Sequence, residues 1–319
     1  MANRRVLVTG GAGFIASHVA EAYLARGDQV WVLDNLSTGR ASNLPKDATF
    51  VHASVNDERV AKLFDEVGGF DIVNHHAAQV DVRKSVSEPR QDLHTNLDGL
   101  LNLLENSVRT GVGKFIFVSS GGVVYGEPDV RPTPETAPKQ PHSPYGVTKL
   151  ASELYLHYYH TIHGLNYVAQ RYANVYGPRQ DPHGEAGVVA IFSNLLLKDE
   201  KLTVYGDGLQ TRDYVFVYDV VAANMLLSDL DLGTTSDLDQ RAFNVGTGVE
   251  SNVLDVAKKL AAAAGSDPEI VHGEARAGEL RRSCLDATKL RSHGWQAKHS
   301  IDEGLSITYN YIRDGEKGW

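Results

Sequence analysis

The stretch Val6-Leu7-Val8-Thr9-Gly10-Gly11-Ala12-Gly13-Phe14-Ile15-Ala16-Ser17 constrains this chain more than any other part of it. A short apolar run reads as a strand buried on both faces, and a helix-forming run follows the glycines. Between them the glycines permit a tight turn and let backbone N–H groups approach a pyrophosphate. The following helix adds free N–H donors and the positive end of its dipole. Ala16 stands where a third glycine is common, and the close helix packing required there is within reach of an alanine. A strand, a glycine turn and a helix in this order belong to folds that alternate the two elements.

The N-terminal half keeps that alternation. Arg5–Val8, Gln29–Leu33, Thr49–His52, Asp71–Asn74 and Lys114–Val118 read as strands, with helical patterns over Phe14–Arg26, Glu58–Glu66 and Asp92–Arg109. The prolines between Gly126 and Ser143 mark a long loop, and Pro144 suits the first turn of a helix over Tyr145–His163. Asn166–Arg171 is a further strand. Beyond Gly177 the alternation weakens into polar loops, with one βαβ-like piece built from a strand at Phe243–Val245 and a helix at Asn252–Ala264. The expected fold class is α/β: a Rossmann-type doubly wound parallel sheet over residues 1–175, rejoined by segments at about 213–248, with a smaller α/β lobe over 176–319.

The second strand names the cofactor. It ends Val32-Leu33-Asp34-Asn35, and Asp34 lies about 20 residues after the glycines, where a carboxylate accepts hydrogen bonds from the adenosine ribose. A carboxylate there repels a 2′-phosphate, so the pattern favours NAD over NADP. The net charge of −9 argues against a nucleic-acid partner, while a nucleotide-sized anion needs only local arginines and helix N-termini. One cysteine, Cys284, forms no disulfide within the chain, and no apolar run approaches about 18 residues, so the reading is of a soluble cytoplasmic protein. His75 and His76 are adjacent on a strand end and point to opposite faces, which disfavours a shared metal ion; no metal site is expected.

Tyr145 and Lys149 lie at i and i+4 of a helical stretch, hence on one face. A free phenol is a poor base near neutrality, and a neighbouring ammonium favours the phenolate. Taken alone, Tyr-x-x-x-Lys is most often two unrelated residues on a solvated helix face. Beside a dinucleotide turn and Ser119-Ser120 it becomes a candidate for moving a proton while hydride passes to a nicotinamide.

These motifs resemble the extended short-chain dehydrogenase/reductase family and, within it, the UDP-glucose 4-epimerases. The likeness runs through Thr9–Ile15, Asp34-Asn35-Leu36-Ser37-Thr38-Gly39, His76-Ala77-Ala78-Gln79, Ser119–Gly126, Ser143–Lys149, Arg171–Arg179 and Arg212–Val215. It implies that Tyr145 takes the proton of the sugar 4-hydroxyl, while Lys149 holds the nicotinamide ribose and tunes the tyrosine. Hydride leaves C4, the 4-ketose rotates, and hydride returns to its other face. NAD would be held by Gly10, Gly13, Phe14, Ile15, Asp34, Asn35, Ser37, Thr38, Gly39, Ser54, Val55, His76, Ala77, Ala78, Gln79, Asn96, Ser119 and Tyr172, besides the Tyr-Lys pair. The sugar nucleotide would lie between the lobes. There it would meet Ser120, Gly121, Asn174, Val188, Val189, Tyr205 and Arg212, together with Arg276 and Glu279 of an Arg-x-Gly-acid motif. Arginine forks suit diphosphate oxygens.

The chain departs from the family at three positions. Gly121 replaces a frequent Ser or Thr that bonds the sugar 4-oxygen, and Ser120, or a water it holds, is the expected substitute. Ser54 stands where relatives often carry an acid near the adenine. Ser283 replaces a bulky tyrosine of some members, which leaves room for an N-acetyl group and predicts that UDP-N-acetylhexosamines are accepted too. The related 4,6-dehydratases need an Asp-Glu pair where this chain has Gly122 and Val123, which argues against dehydration. A UDP-glucuronate 4-epimerase, a plain dehydrogenase that releases its cofactor, and a non-catalytic NAD-sensing regulator are the remaining alternatives. The resemblance also implies a homodimer in which helices Asp92–Arg109 and Tyr145–His163 pair across a two-fold axis. Leu97, Leu100, Leu101 and Leu104 of the one helix, with Leu150, Leu154 and Tyr158 of the other, are candidates for the contact, although both stripes also suit packing against the sheet.

Overall fold

In a computed structural model that describes residues 3–182, 187–235, 237–275 and 280–315, the first strand runs where its three apolar residues place it. Val6, Leu7 and Val8 of β1 (Arg5–Thr9) are fully buried, as a strand covered on both faces requires. The chain continues through α1 (Phe14–Ala25), β2 (Gln29–Asp34), β3 (Thr49–His52), α2 (Arg59–Val67), β4 (Ile72–His75), α3 (Val82–Ser87), α4 (Pro89–Leu93), α5 (Gly99–Thr110), β5 (Lys114–Ser120), α6 (Gly121–Val124), α7 (Pro144–His163) and β6 (Tyr167–Tyr172). Next come β7 (Asn174–Tyr176), α8 (Val188–Leu197), β8 (Leu202–Tyr205), β9 (Thr211–Phe216), α9 (Val217–Asp229), α10 (Leu238–Arg241) and β10 (Ala242–Val245). Last are β11 (Glu250–Asn252), α11 (Val253–Ala264), β12 (Ile270–Gly273), β13 (Arg282–Ser283), α12 (Thr288–Ser292) and α13 (Ile301–Gly315).

The main sheet has seven strands in the order β10-β6-β5-β4-β1-β2-β3, and β1 pairs parallel with both β2 and β4. From β1 the chain winds first toward β3 and then, through β4, toward β6. The strand order therefore reverses between β1 and β4, and the crevice beyond the carboxyl ends of these strands is where such sheets bind ligands. This is the Rossmann-type sheet expected from the sequence.

The chain folds into two compact units: Met1–Gly126, Pro138–Arg171 and Val221–Phe243 form one, and Glu127–Ala137, Tyr172–Val220 and Asn244–Trp319 the other. In the first, Leu7, Val73, Phe115 and Ala169 of the sheet pack with Leu63 and Phe64 of α2 and with Leu100 and Leu104 of α5. Leu100 and Leu104 are thus core residues and unavailable to a partner, while Leu97, Leu101 and Leu150 are half-buried and Leu154 and Tyr158 are exposed. In the second unit, β9 lies between β11 and β13 and also pairs with β7, while β12 pairs with β8.

One expectation needs correction. The helix expected over Asp92–Arg109 is broken by a π-helical turn at His94–Asp98 between α4 and α5; hydrophobic spacing does not record the extra residue per turn. The strand at Phe243–Val245 is β10, which lies at the edge of the main sheet beside β6, within the segments expected to rejoin it. The strands of the second unit escaped the sequence because several are only two or three residues long, too short for a period-two pattern. Helix α7 starts where Pro144 predicts, with Ser143 as its cap. The Ser143 hydroxyl accepts from Gly146 N, and Gly164 closes the helix in the left-handed region. No helix among the described residues is long and apolar enough to cross a membrane.

Candidate active site

The glycine turn is held by its own sheet. Gly10 adopts φ +68°, and a Cβ there would lie 2.8 Å from Ala77 N; Gly11 is pressed against Val32 in the same way. Gly10 N donates to Leu33 O, and Gly13 N to Gly10 O. Gly13 caps α1 with no side-chain partner, which leaves the first-turn N–H groups open to an anion. Asp34 accepts from Ala12 N at 3.0 Å and from Leu36 N at 2.7 Å. The carboxylate thus clasps the glycine turn, and its remaining lone pairs are what it offers a ribose. Gly39 packs on Ala12, where a Cβ would meet Ala12 Cβ at 2.9 Å. Phe14 and Ile15 are half-buried at the start of α1, and Asn35, Ser37 and Thr38 lie exposed beyond the end of β2. The turn fits a dinucleotide because it packs too closely on the His76–Ala77 backbone to carry a side chain at Gly10 and leaves the first-turn N–H groups of α1 without a side-chain cap.

Past β3, the Ser54 hydroxyl accepts from Asn56 N, and Val55 is buried beneath α5. Past β4, His76 N donates to Thr9 O, and Ala77 N to Thr9 Oγ1 at 3.2 Å. The two histidines do separate. His75 Nδ1 lies 2.7 Å from Thr9 Oγ1, with its ring beside Phe115 and Phe117, whereas the His76 side chain bonds Asn224. Burial, with a smaller contribution from Lys149, keeps both neutral; His76 is pushed down to about 3. Ala78 and Gln79 complete this half-buried loop.

Lys149 and Tyr145 share a face of α7, and both are nearly buried. Lys149 Nζ donates to Val118 O at 2.8 Å, 4.8 Å from the Phe117 ring centre and 5.7 Å from that of Tyr145. Burial lowers the ammonium to about 8, against the opposing pull of Asp92 and Glu153. The lysine is therefore charged near neutrality and lies close enough to favour a Tyr145 phenolate. Tyr145 N donates to Ser85 Oγ, which fixes the first turn of α7 against α3. Asn96 lies in the π-helical turn and grips the Gln79 peptide from both sides: its Oδ1 accepts from Gln79 N at 2.8 Å and its Nδ2 donates to Gln79 O at 3.0 Å. A π turn at a functional position is a recurrent use of that conformation.

Ser119 donates to Glu153 Oε1 at 2.5 Å, so its hydroxyl is committed inward and only its backbone is left for a cofactor. Glu153 and Arg171 form a fully buried ion pair at 2.6 Å, and Arg171 also donates to Tyr125 OH. Sequence reading passed over Glu153, Asp92, Thr148 and Ser85. The available signal for Glu153 was its i+4 spacing from Lys149. Ser120 ends β5 half-exposed, and its hydroxyl makes no hydrogen bond among the described residues. It is therefore free to serve a ligand where Gly121, which is buried, has nothing to give.

In the second unit Asn174 is exposed at the start of β7, opposite Tyr214 of β9. Arg212 of β9 is half-exposed, pairs with Ser251 on one side and Ser283 on the other, and donates to Thr211 O. Ser283 is buried. Val188 opens α8, Val189 behind it is buried, Tyr205 at the end of β8 is exposed and Tyr172 at the end of β6 is buried. Arg276 and Glu279 lie outside the described residues. Among those described, no group of three His, Cys, Asp or Glu side chains is placed to hold a metal ion.

A glycine cradle at a sheet's switch point, with a buried lysine behind a tyrosine on the same unit, defines an α/β dinucleotide-dependent enzyme of the short-chain dehydrogenase/reductase class. The sequence profile of the NAD dependent epimerase/dehydratase family matches residues 6–246, and the chain belongs to that family, with NAD as its cofactor. The UDP-glucose 4-epimerase of Mycolicibacterium smegmatis is 43% identical over 316 residues, covering 97% of this chain and 99% of that protein. The crystal structure of UDP-glucose 4-epimerase with UDP-glucose from Thermotoga maritima is 46% identical, with a TM-score of 0.93 over 98% of this chain and 99% of that one. UDP-N-acetylglucosamine 4-epimerase from Methanobrevibacter ruminantium, in complex with UDP-N-acetylmuramic acid, is 32% identical with a TM-score of 0.91, covering 99% of this chain and 100% of that chain.

Proposed function

We propose that this protein interconverts UDP-glucose and UDP-galactose by NAD-dependent 4-epimerisation. The observation that carries the reading is the buried Lys149 set behind Tyr145, in the same unit as the glycine cradle. Bound NAD supplies a hydride acceptor that becomes the donor for the return step. The chain's own residues handle the proton and the pose. The Tyr145 oxygen takes the proton of the sugar 4-hydroxyl as hydride leaves C4, and gives it back once the 4-keto sugar has turned over. Lys149 holds the nicotinamide ribose and, by its charge, favours the phenolate. Asn96 keeps the Gln79 peptide in place, and Ser120 takes over the contact that Gly121 lacks. Asn174, Arg212, Arg276 and Glu279 hold the diphosphate and uridine ribose, with Val188, Val189 and Tyr205 around the nucleotide.

Buried Ser283, next to Arg212 in the sheet, supports acceptance of UDP-N-acetylhexosamines as well. The enzyme would act in galactose metabolism, in the cytoplasm, where its single buried cysteine stays reduced. It would work as a homodimer: Val147, Leu154, Tyr155, Tyr158 and Ile162 form an exposed apolar stripe on α7 that suits a second copy. A monomeric mass at micromolar concentration would refute the dimer. Function is tested by product analysis with UDP-glucose, UDP-N-acetylglucosamine and UDP-glucuronate, with no cofactor added. The expected product is UDP-galactose without net NADH. Turnover of UDP-glucuronate alone, or accumulation of NADH, would overturn the reading.

A further inference from the structure

Three donors converge on Asp92, a carboxylate with no exposed surface. Gln79 Nε2 reaches Oδ1 at 2.9 Å and Asn96 Nδ2 reaches it at 3.1 Å, while Thr148 Oγ1 lies 2.7 Å from Oδ2. The donors come from the loop after β4, the π-helical turn and the first turns of α7. Thr148 stands between Tyr145 and Lys149 in sequence, and its hydroxyl also lies 3.0 Å from the Tyr145 carbonyl oxygen. Burying a carboxylate is costly even when it is hydrogen-bonded. A neutral amide would meet the same three neighbours, because Thr148 could donate to Tyr145 O and accept from the amide nitrogen. Holding the shape therefore does not require the charge.

The charge acts on Lys149. Lys149 faces Asp92 from α4, Glu153 and Tyr145 from its own helix, and His75 and His76 from the end of β4. The histidines are neutral, and Glu153 is engaged by Arg171 and Ser119. Asp92 makes no ion pair among the described residues, so its field is not spent on another contact. We propose that Asp92 is a positioning residue for proton and hydride transfer: it ties the 77–79 loop to the start of α7 and offsets the buried charge of Lys149. Burial lowers Lys149, and the Asp92 carboxylate opposes that fall. The inference rests on reading Tyr145 and Lys149 as the proton-transfer pair.

The test is Asp92→Asn in the NAD-loaded protein, with Lys149 followed by NMR of carbon-labelled lysine and with kcat and KM measured against pH on UDP-glucose. We expect kcat to fall about tenfold near neutrality with KM within about twofold. The Lys149 midpoint and the alkaline limb of the rate profile should move down together, by about one pH unit. The sign follows from the charge: without the neighbouring anion the ammonium is lost at lower pH. An unchanged Lys149 midpoint overturns the proposal. That readout needs no turnover, so inactivity of the wild-type protein on UDP-sugars would sink the functional reading and leave this one decidable. If Asp92→Asn does not fold, Thr148→Val removes one donor to the carboxylate. It should lower kcat and leave KM unchanged, and Thr148→Ser should restore the rate. Equal rates for Thr148→Val and wild type would overturn the link.

Discussion

Lys149 and Arg212, the two cations proposed to meet a polar or anionic ligand, are treated in opposite ways by the protein. Lys149 is buried, bonded to a strand carbonyl and flanked by aromatic rings, inside a unit whose strand ends already form the cofactor cradle. Arg212 sits half-exposed on a small sheet of short strands, in a unit where Asn174 and Tyr205 are exposed outright. The groups proposed to react are thus buried and bonded within the fold, whereas those proposed for the nucleotide are open to solvent. Pre-organisation matters most where a proton and a hydride must be placed within a fraction of an ångström. A diphosphate is satisfied by any fork that reaches it.

The contrast predicts unequal damage. The largest effect should come from Tyr145→Phe, which removes the proton-carrying oxygen and leaves the packing. We expect kcat to fall by about 10²–10⁴ with NAD content unchanged; a variant within tenfold of wild type would deny Tyr145 its role. Next is the support beneath it. Arg171→Met leaves Glu153 buried without its cation, and loss of one partner from a buried pair costs about 3–5 kcal/mol. Denaturant unfolding should show this as a lower midpoint. If the midpoint is unchanged, the pair contributes nothing that packing does not.

Arg212→Ala should do less, and elsewhere. Losing a charged hydrogen bond to phosphate is worth about 1.5–3 kcal/mol, so KM for the UDP-sugar and Kd for UDP should rise by about 10–100-fold, with kcat near wild type. A matching loss in kcat would mean that the second unit also shapes the chemical step. The effect that is smallest near neutrality, and that grows only on acidification, is on stability. The unfolded chain protonates its histidines near pH 6.5, whereas folded His76 does so only near 3 and His75 well below its ordinary value. Stability is therefore full above pH 6.5 and is lost progressively as the pH falls toward 3, by up to about 1.4 kcal/mol per pH unit for each histidine. Thermal melts across that window should slope downward, and His76→Asn should flatten the slope.

Much of the first unit was legible in the sequence because its signals are local. The glycines of Val6–Ser17 must turn, Asp34 must follow the next strand, and Pro144 after Ser143 must begin a helix that sets Tyr145 and Lys149 on one face. Each of these follows from steric and hydrogen-bonding rules acting over a few residues. What only the tertiary structure decided depends on groups far apart in the chain. It turned the Ser119 hydroxyl inward to Glu153. It gave Asp34 a second task as a clasp on the glycine turn, and it chose β6 as the neighbour of β10. It also inserted the π-helical turn that lets Asn96 grip Gln79, and it gathered Gln79, Asn96 and Thr148 around Asp92. No spacing in the sequence records these, because a buried polar group finds its partners across the fold, and its cost without them selects the arrangement that survives.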